Sequence, residues 1–304
     1  MTRIHIDTCP LCGYQTSEQA LMCVDRYASG ETFHVARCAS CGFLFTQDFP
    51  AESEIGVYYE TPDYISHTDT KRGLMNTLYH YVRNYMLRRK ARLVEQALGV
   101  KRGRLLDIGT GTGYFPAVMQ RRGWAVQAIE KSEQARGFAR DHFGLQVHPD
   151  EALMEGLTGE RFDVITLWHV MEHLEHLDEV WQRLNALLTD NGVLIVAVPN
   201  AASWDAKHYG ADWAAYDVPR HLWHFTPVSM LQWGMKHGFV PVKRLPMPFD
   251  AFYVSMLTEQ HLKHRFSFLR GLVTGTLAWL ATWGGKDRSS SMIYLFRKEE
   301  KGRE

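Results

Sequence analysis

Two sets of side chains in this sequence have the types and spacing to do chemistry. The first is Cys9-Pro-Leu-Cys12-Gly13 and Cys38-Ala-Ser-Cys41-Gly42, two C-x-x-C-G knuckles with 25 residues between them. Two intervening residues suit a tight turn that aims both sulfurs at one ion, and the following glycine permits that turn. Four thiolates close a tetrahedral site, which suits a structural zinc on Cys9, Cys12, Cys38 and Cys41. A redox pair or two disulfides fit less well. No strand–helix–strand pattern surrounds the knuckles, and the compartment reads as reducing. Cys23, between them, reads as a small core residue. The second set is His169-Val-Met-Glu172-His173, with His221 further along. Histidine titrates where protons must move near neutral pH, so His169, His173 and His221 are the candidate general bases. His169, Glu172 and His173 also offer ligands to a divalent ion, and helical spacing would put them on one face together with His176. The same residues match a protease zinc motif. They follow an apolar strand in an alternating strand–helix array, however, where that motif needs a long helix.

These groups need a frame, and its centre is Arg104-Leu-Leu-Asp-Ile-Gly-Thr-Gly-Thr-Gly-Tyr114. An apolar strand runs into Gly109, Gly111 and Gly113, and a helix follows from Tyr114. Such a turn lets backbone approach a ligand where side chains would block it. A dinucleotide fingerprint needs glycine where Tyr114 stands, which argues against a nicotinamide enzyme. The next strand ends in Glu130, 21 residues beyond Gly109. A doubly wound fold places a ribose-binding carboxylate at that point. A short third strand over 145–148 follows the helix from Ser132, then a fourth over 161–168 and a fifth within 191–200.

Asp107-x-Gly109-x-Gly111-x-Gly113, then Phe162-Asp-Val-Ile, Glu172-His173 and Gly192-Val-Leu-Ile-Val-Ala-Val-Pro-Asn200, resembles the class I S-adenosylmethionine (SAM)-dependent methyltransferases over residues 100 to 245. Within that class the stretch is similar to ubiquinone-pathway O-methyltransferases and to a bacterial group with an N-terminal zinc ribbon. The P-R-H-x-x-H-F signature of that group resembles Pro219-Arg220-His221-Leu-Trp-His224-Phe225. The resemblance implies a doubly wound, mostly parallel sheet of seven strands, methyl transfer to a small-molecule or carrier-linked acceptor (an oxygen or carbon atom), and SAM as cofactor. It also implies cofactor contacts from Asp107, Gly109, Gly111, Gly113, Glu130, Asp150 and Trp168. Some relatives hold a divalent ion with Glu-x-x-Glu-His and a later histidine; here His169 replaces the first glutamate. A simple histidine base is the favoured expectation.

The chain divides into a zinc ribbon over 1–48, a linker and helical cap over 49–100, and the methyltransferase domain over 101–304. The cap holds a Pro-, Tyr- and acid-rich connection from Phe49 to Thr70 and a long helix from Gly73 to Leu98. A helical insert lies near 251–285. Residues 69–104 carry ten Lys or Arg against Asp69 and Glu95. The cluster Arg88-Arg89-Lys90-Ala-Arg92 reads as a solvated face, with an anionic carrier as its alternative partner. The polar-aromatic loop over 201–225 is expected to wall the substrate pocket. Thirty-four basic residues balance 34 acidic ones, so no global field favours nucleic acid, and an RNA methyltransferase is the weaker rival. The N-terminus lacks an apolar signal core, and Gly271–Gly285 is too short and glycine-rich to span a bilayer. A soluble cytoplasmic protein without a membrane span is expected.

Overall fold

A computed structural model describes residues 2–59 and 74–299. Residues 60–70 of the expected connection, and the expected helix start at Gly73, lie outside the described residues. The first four strands are β1 (Arg3–Ile4), β2 (Ser17–Val24), β3 (Thr32–Cys38) and β4 (Leu44–Gln47). Next come β5 (Phe49–Pro50) and helix α1 (Leu74–Leu98). The central domain then alternates β6 (Arg104–Ile108), α2 (Tyr114–Arg121), β7 (Ala125–Ile129), α3 (Glu133–Phe143), β8 (Gln146–His148) and β9 (Phe162–Trp168). It continues through α4 (Leu177–Leu187), β10 (Leu188–Pro199), the short α5 (Trp204–Tyr209), β11 (Trp223–His224) and α6 (Pro227–Lys236). The chain ends with β12 (Phe239–Pro246), α7 (Asp250–His261), α8 (Ser267–Ala281) and β13 (Ser291–Lys298).

The main sheet has seven strands in the order β12-β13-β10-β9-β6-β7-β8. Strands β6 to β10 pair in parallel, while β13 runs antiparallel between β10 and β12. This is the doubly wound, mostly parallel sheet that the sequence implies. Val164, Ile165 and Leu167 on β9, and Val193 to Val198 on β10, are all buried. A strand covered on both faces must be apolar throughout, and each such side chain contributes about 1.5–3 kcal/mol. The strand order reverses between β6 and β9, and the crevice beyond their carboxyl ends is where such sheets bind ligands.

The N-terminal strands do not stand apart from this body. They form a four-stranded sheet, β11-β4-β3-β2, whose fourth strand comes from the loop after β10. Phe43 and Phe45 pack in one cluster with Leu167, Trp223 and Trp233. In the 201–225 loop, Trp213, Tyr216, Trp223 and Phe225 are buried, and Trp213 and Tyr216 also line a cavity with Asp25, Tyr27 and Arg220. Burial of rings of this size outweighs their display at a surface.

Candidate functional site

The glycine turn is built as its residues require. Gly109, Gly111 and Gly113 have φ of +69°, +56° and +82°, a region that side chains with a Cβ rarely adopt. A Cβ on Gly109 would lie 2.3 Å from Val170 Cγ2, and one on Gly113 would lie 2.7 Å from Ala139 Cβ. Those two glycines let the turn pack closely. Gly111 meets nothing within 4 Å, so its side of the turn is open, a cradle that any side chain would fill. Its N–H donates to Glu130 Oε2 at 2.7 Å, while Ser132 N–H donates to Oε1 at 2.9 Å. Each oxygen keeps a lone pair for a ligand hydroxyl.

Below the turn lies Asp107. Burial pushes its carboxyl up to about 6, opposed by the Thr166 hydroxyl, which donates to Oδ1 at 2.6 Å. Lys90 of α1 reaches in from the other side, its Nζ 4.3 Å from the centre of the Trp168 ring. Burial lowers the pKa of this amine, and Asp107 and Asp250 act against that. The crevice therefore presents a buried acid and a desolvated cation together, a match for a ligand carrying both an ammonium and a carboxylate. Trp168 Nε1 is buried with no hydrogen-bond partner among the described residues. Asp150 follows β8, its Oδ2 3.8 Å from Lys131 Nζ.

No α-helix spans 169–176. Met171–His173 is a single 3₁₀ turn, and α4 begins only at Leu177. The expected single helical face is therefore replaced by two directions. His169, at φ +58°, lies between two carboxylates: Glu172 Oε1 is 3.5 Å from Nδ1 and Asp250 Oδ2 is 3.2 Å from Nε2. Burial disfavours its charge, but Asp250 and Glu172 outweigh it and raise the pKa to about 9. Held between these two carboxylates, His169 favours its charged form and is the least suited of the three histidines to act as a base or ligand.

Glu172 is shared with a second group, His173 and His221, and one ligating atom from each of these three lies within 4.8 Å of the others. His173 Nδ1 lies 3.0 Å from the Arg220 carbonyl and His221 Nδ1 lies 2.8 Å from the Ala215 carbonyl. A carbonyl only accepts, so each Nδ1 donates, and Nε2 is the atom that a neutral ring would offer to a ligand. Burial and the neighbouring His221 push His173 down to about 4, which keeps it neutral. Apart from the ion pair with His169, both Glu172 oxygens are buried without a hydrogen-bond partner among the described residues. A buried carboxylate left so beside two imidazole lone pairs has the donor set of a divalent-metal site.

The N-terminal sheet holds half of this cluster in place. Trp223 and His224 pair with Phe45 and Leu44, and Thr46 Oγ1 donates to the His221 carbonyl at 2.7 Å. Leu222 N–H in turn donates to the Glu172 carbonyl at 2.8 Å. The cysteines that frame that sheet converge as well. Gly13 and Gly42 share φ +73°, and each donates to the carbonyl of the first cysteine of its knuckle, at 2.8 and 3.0 Å. Cys9 and Cys41 sulfurs are 3.6 Å apart, as are those of Cys12 and Cys38. A tetrahedral zinc with bonds of about 2.3 Å sets its sulfurs about 3.8 Å apart, so the four residues fit that ion. Cys23 lies apart, buried on β2.

Two residues of the site escape a reading of the sequence. Lys90 stands in a run of cations that reads as solvated, although it shares a helical face with Leu87, Val94 and Ala97, and that shared face is the available signal. Asp250 opens α7, far along the chain from His169, and carries no local signal.

A glycine turn at the reversal of a seven-stranded sheet, with an acid at the end of the next strand, defines the class I methyltransferase type of nucleoside-binding domain. The chain belongs to the methyltransferase-domain family, whose profile matches residues 78–244. It is related to ubiquinone-pathway enzymes. It is 30% identical over 156 residues to the ubiquinone biosynthesis O-methyltransferase of Histophilus somni, covering 46% of this chain and 65% of that protein. With the protein of the same name from Azorhizobium caulinodans it shares 26% over 181 residues, covering 56% and 72%. The match thus spans just under two thirds of the first of these relatives. In fold it is similar to a candidate sarcosine dimethylglycine methyltransferase from Galdieria sulphuraria, with a TM-score of 0.51 and 14% identity over 70% of this chain and 86% of that one.

Proposed function

We propose that this protein is an enzyme that transfers a methyl group from SAM to an oxygen of a small-molecule or carrier-linked acceptor, with a divalent cation held by Glu172, His173 and His221. The observation that carries the reading is the open Gly111 cradle beside Glu130, in a turn whose Gly109 packs on Val170 at the start of that cluster. When bound, SAM supplies an activated methyl on a sulfonium, and the cation lowers the pKa of an acceptor hydroxyl. The chain's own task is alignment and proton handling. Glu130 would offer acceptors to the ribose hydroxyls, Asp107 would hold the ammonium of the amino-acid tail, and Lys90 would hold its carboxylate. The relatives' name, which specifies O-methylation, supports oxygen over carbon as the acceptor atom.

Calorimetry tests the cofactor half. Glu130→Ala removes acceptors for two hydroxyls and is expected to weaken SAM binding by about 1.5–3 kcal/mol, with Gly111→Val at least as severe. Unchanged affinity in both variants would refute the cradle. A labelled-methyl screen over metabolite and carrier-protein fractions then identifies the acceptor.

We further propose that Cys9, Cys12, Cys38 and Cys41 hold one structural zinc and that the ribbon positions His221. Cys38→Ser is expected to abolish zinc in elemental analysis, to lower kcat, and to leave SAM affinity within a few-fold, because the ribbon touches the cluster and not the cradle. Loss of zinc with full turnover would separate the ribbon from catalysis.

A further inference from the structure

Helix α8 is built inside out. The side it turns to α7 carries small residues: Gly271, Thr274, Gly275 and Ala278 are buried. A Cβ on Gly271 would lie 2.5 Å from Met256 Cα, and one on Gly275 would lie 2.8 Å from Phe252 Cα, so the two helices pack backbone to backbone. The large apolar side chains point the other way. Phe268 is 56% exposed, Leu269 57%, Val273 60% and Trp283, just past the helix, 77%. Leu272, Leu277 and Leu280 extend the same face. A helix completing a soluble core would show the reverse pattern. The face is also not a loose end. Buried Glu259 of α7 accepts from Arg270 Nε at 2.7 Å and lies 2.6 Å from His264 Nδ1, which fixes the turn between the helices.

Charge indicates what covers this face. From Gln260 to Lys286 the chain has no Asp or Glu, and it carries Lys263, Arg265, Arg270 and Lys286. Arg270 is paired with Glu259, but Lys263 and Arg265 precede the apolar face and Lys286 follows it, with exposed Phe266 against Arg265 and exposed Trp283 three residues before Lys286. The next acid, Asp287, is paired with Arg244 at 3.2 Å. We infer that α8 and its flanks dock this protein onto an anionic lipid bilayer, apolar face down and cations against the headgroups. A second copy fits less well, because a two-fold pairing of this face would bring like charges together with no acid in the segment to meet them. At 15 residues α8 is about 22 Å long, so it lies on a bilayer and does not cross it. Among the described residues, no helix is long and apolar enough to span a membrane. The inference rests on this surface alone and not on the reaction. Its consequence is positional, since α7, the partner of α8, carries Asp250 to His169 in the crevice.

Vesicle flotation of the full chain tests it. Vesicles of phosphatidylcholine with about 30% phosphatidylglycerol should carry the protein at least about ten-fold better than phosphatidylcholine alone, and added salt should weaken the difference. Leu269→Glu with Val273→Glu should abolish flotation, and Lys263→Glu with Arg265→Glu should remove the preference for the anionic vesicles. All four positions are exposed, and circular dichroism checks that the variants fold. No flotation of the folded wild type, equal flotation with both vesicles, or flotation unaffected by the apolar pair would overturn the proposal. So would a wild-type dimer in sedimentation velocity that the apolar pair disperses while neither vesicle binds, which would assign the face to a second copy.

Discussion

Arg220→Ala is expected to cost about 3–5 kcal/mol of stability, read as a lower denaturant midpoint, because it takes the cation from buried Asp25 and from part-buried Asp217. The guanidinium is 0% exposed and joins three parts of the chain. It donates to Asp25 Oδ1 at 2.9 Å, to Asp217 Oδ1 at 2.6 Å and to the Tyr58 carbonyl at 2.7 Å. Burial raises the pKa of Asp25, but the Ser29 backbone N–H and Arg220 outweigh it and hold the carboxyl below its usual value. Asp217 is likewise raised by burial and lowered further by Arg220 and His221. Both native pKa values lie below the unfolded value of about 3.9, so this stabilisation is complete above that pH and is lost as pH falls through the native values. Without the cation Asp25 keeps only its hydrogen bonds from Tyr27, Ala28 and Ser29 and Asp217 loses its guanidinium partner, so both pKa values must rise. The gap between wild type and variant should therefore be widest near neutrality and should close as the pH drops below about 4. A gap of similar size at every pH would mean that Arg220 stabilises by packing alone.

Removing the charge of Glu172 is expected to slow methyl transfer by roughly 10²–10⁴ while SAM affinity stays within a few-fold. Glu172→Gln keeps the shape of the side chain, so the effect reports on charge at the cluster. Chelation should abolish wild-type activity, and a divalent ion added back should restore it. His173→Ala and His221→Ala should behave alike, since each removes one Nε2 lone pair from the same point. A separate reading distinguishes a site from a scaffold. Burial raises the Glu172 pKa, but His169, His221 and His173 outweigh it and hold the carboxyl below its usual value, so the charge also favours folding and Glu172→Gln should lower the melting temperature modestly while the variant stays folded at the assay temperature. A loss of activity that only tracks the unfolded fraction would point to a structural role. Activity indifferent to chelators, with only the histidine variants impaired, would instead support the simple histidine base that the sequence suggests.

The sequence alone determined the order of strands and helices, the glycine turn and the cysteine knuckles. Each of these is written in local pattern: apolar runs for β9 and β10, a capping serine at Ser132 that accepts from Ala135 N–H, and glycines at the turn that left-handed backbone requires. Tertiary structure decided the rest. Nothing near His169 announces Asp250, and nothing near His221 announces Thr46. Asp250 meets His169 because strands gather distant loops at one end of the main sheet, and Thr46 meets His221 because β11 pairs with β4 of the N-terminal sheet. Periodicity put His169, Glu172 and His173 on one helical face, but the chain turns tightly there, and a left-handed residue at His169 sends the imidazoles apart. The same limit applies to the aromatic loop and to α8. A run of large apolar residues marks burial against something, and only packing shows that Trp213 and Trp223 lie inside while Leu269 and Val273 face outward. Local spacing encodes which face a residue shares, whereas what that face meets is fixed by contacts between distant parts of the chain.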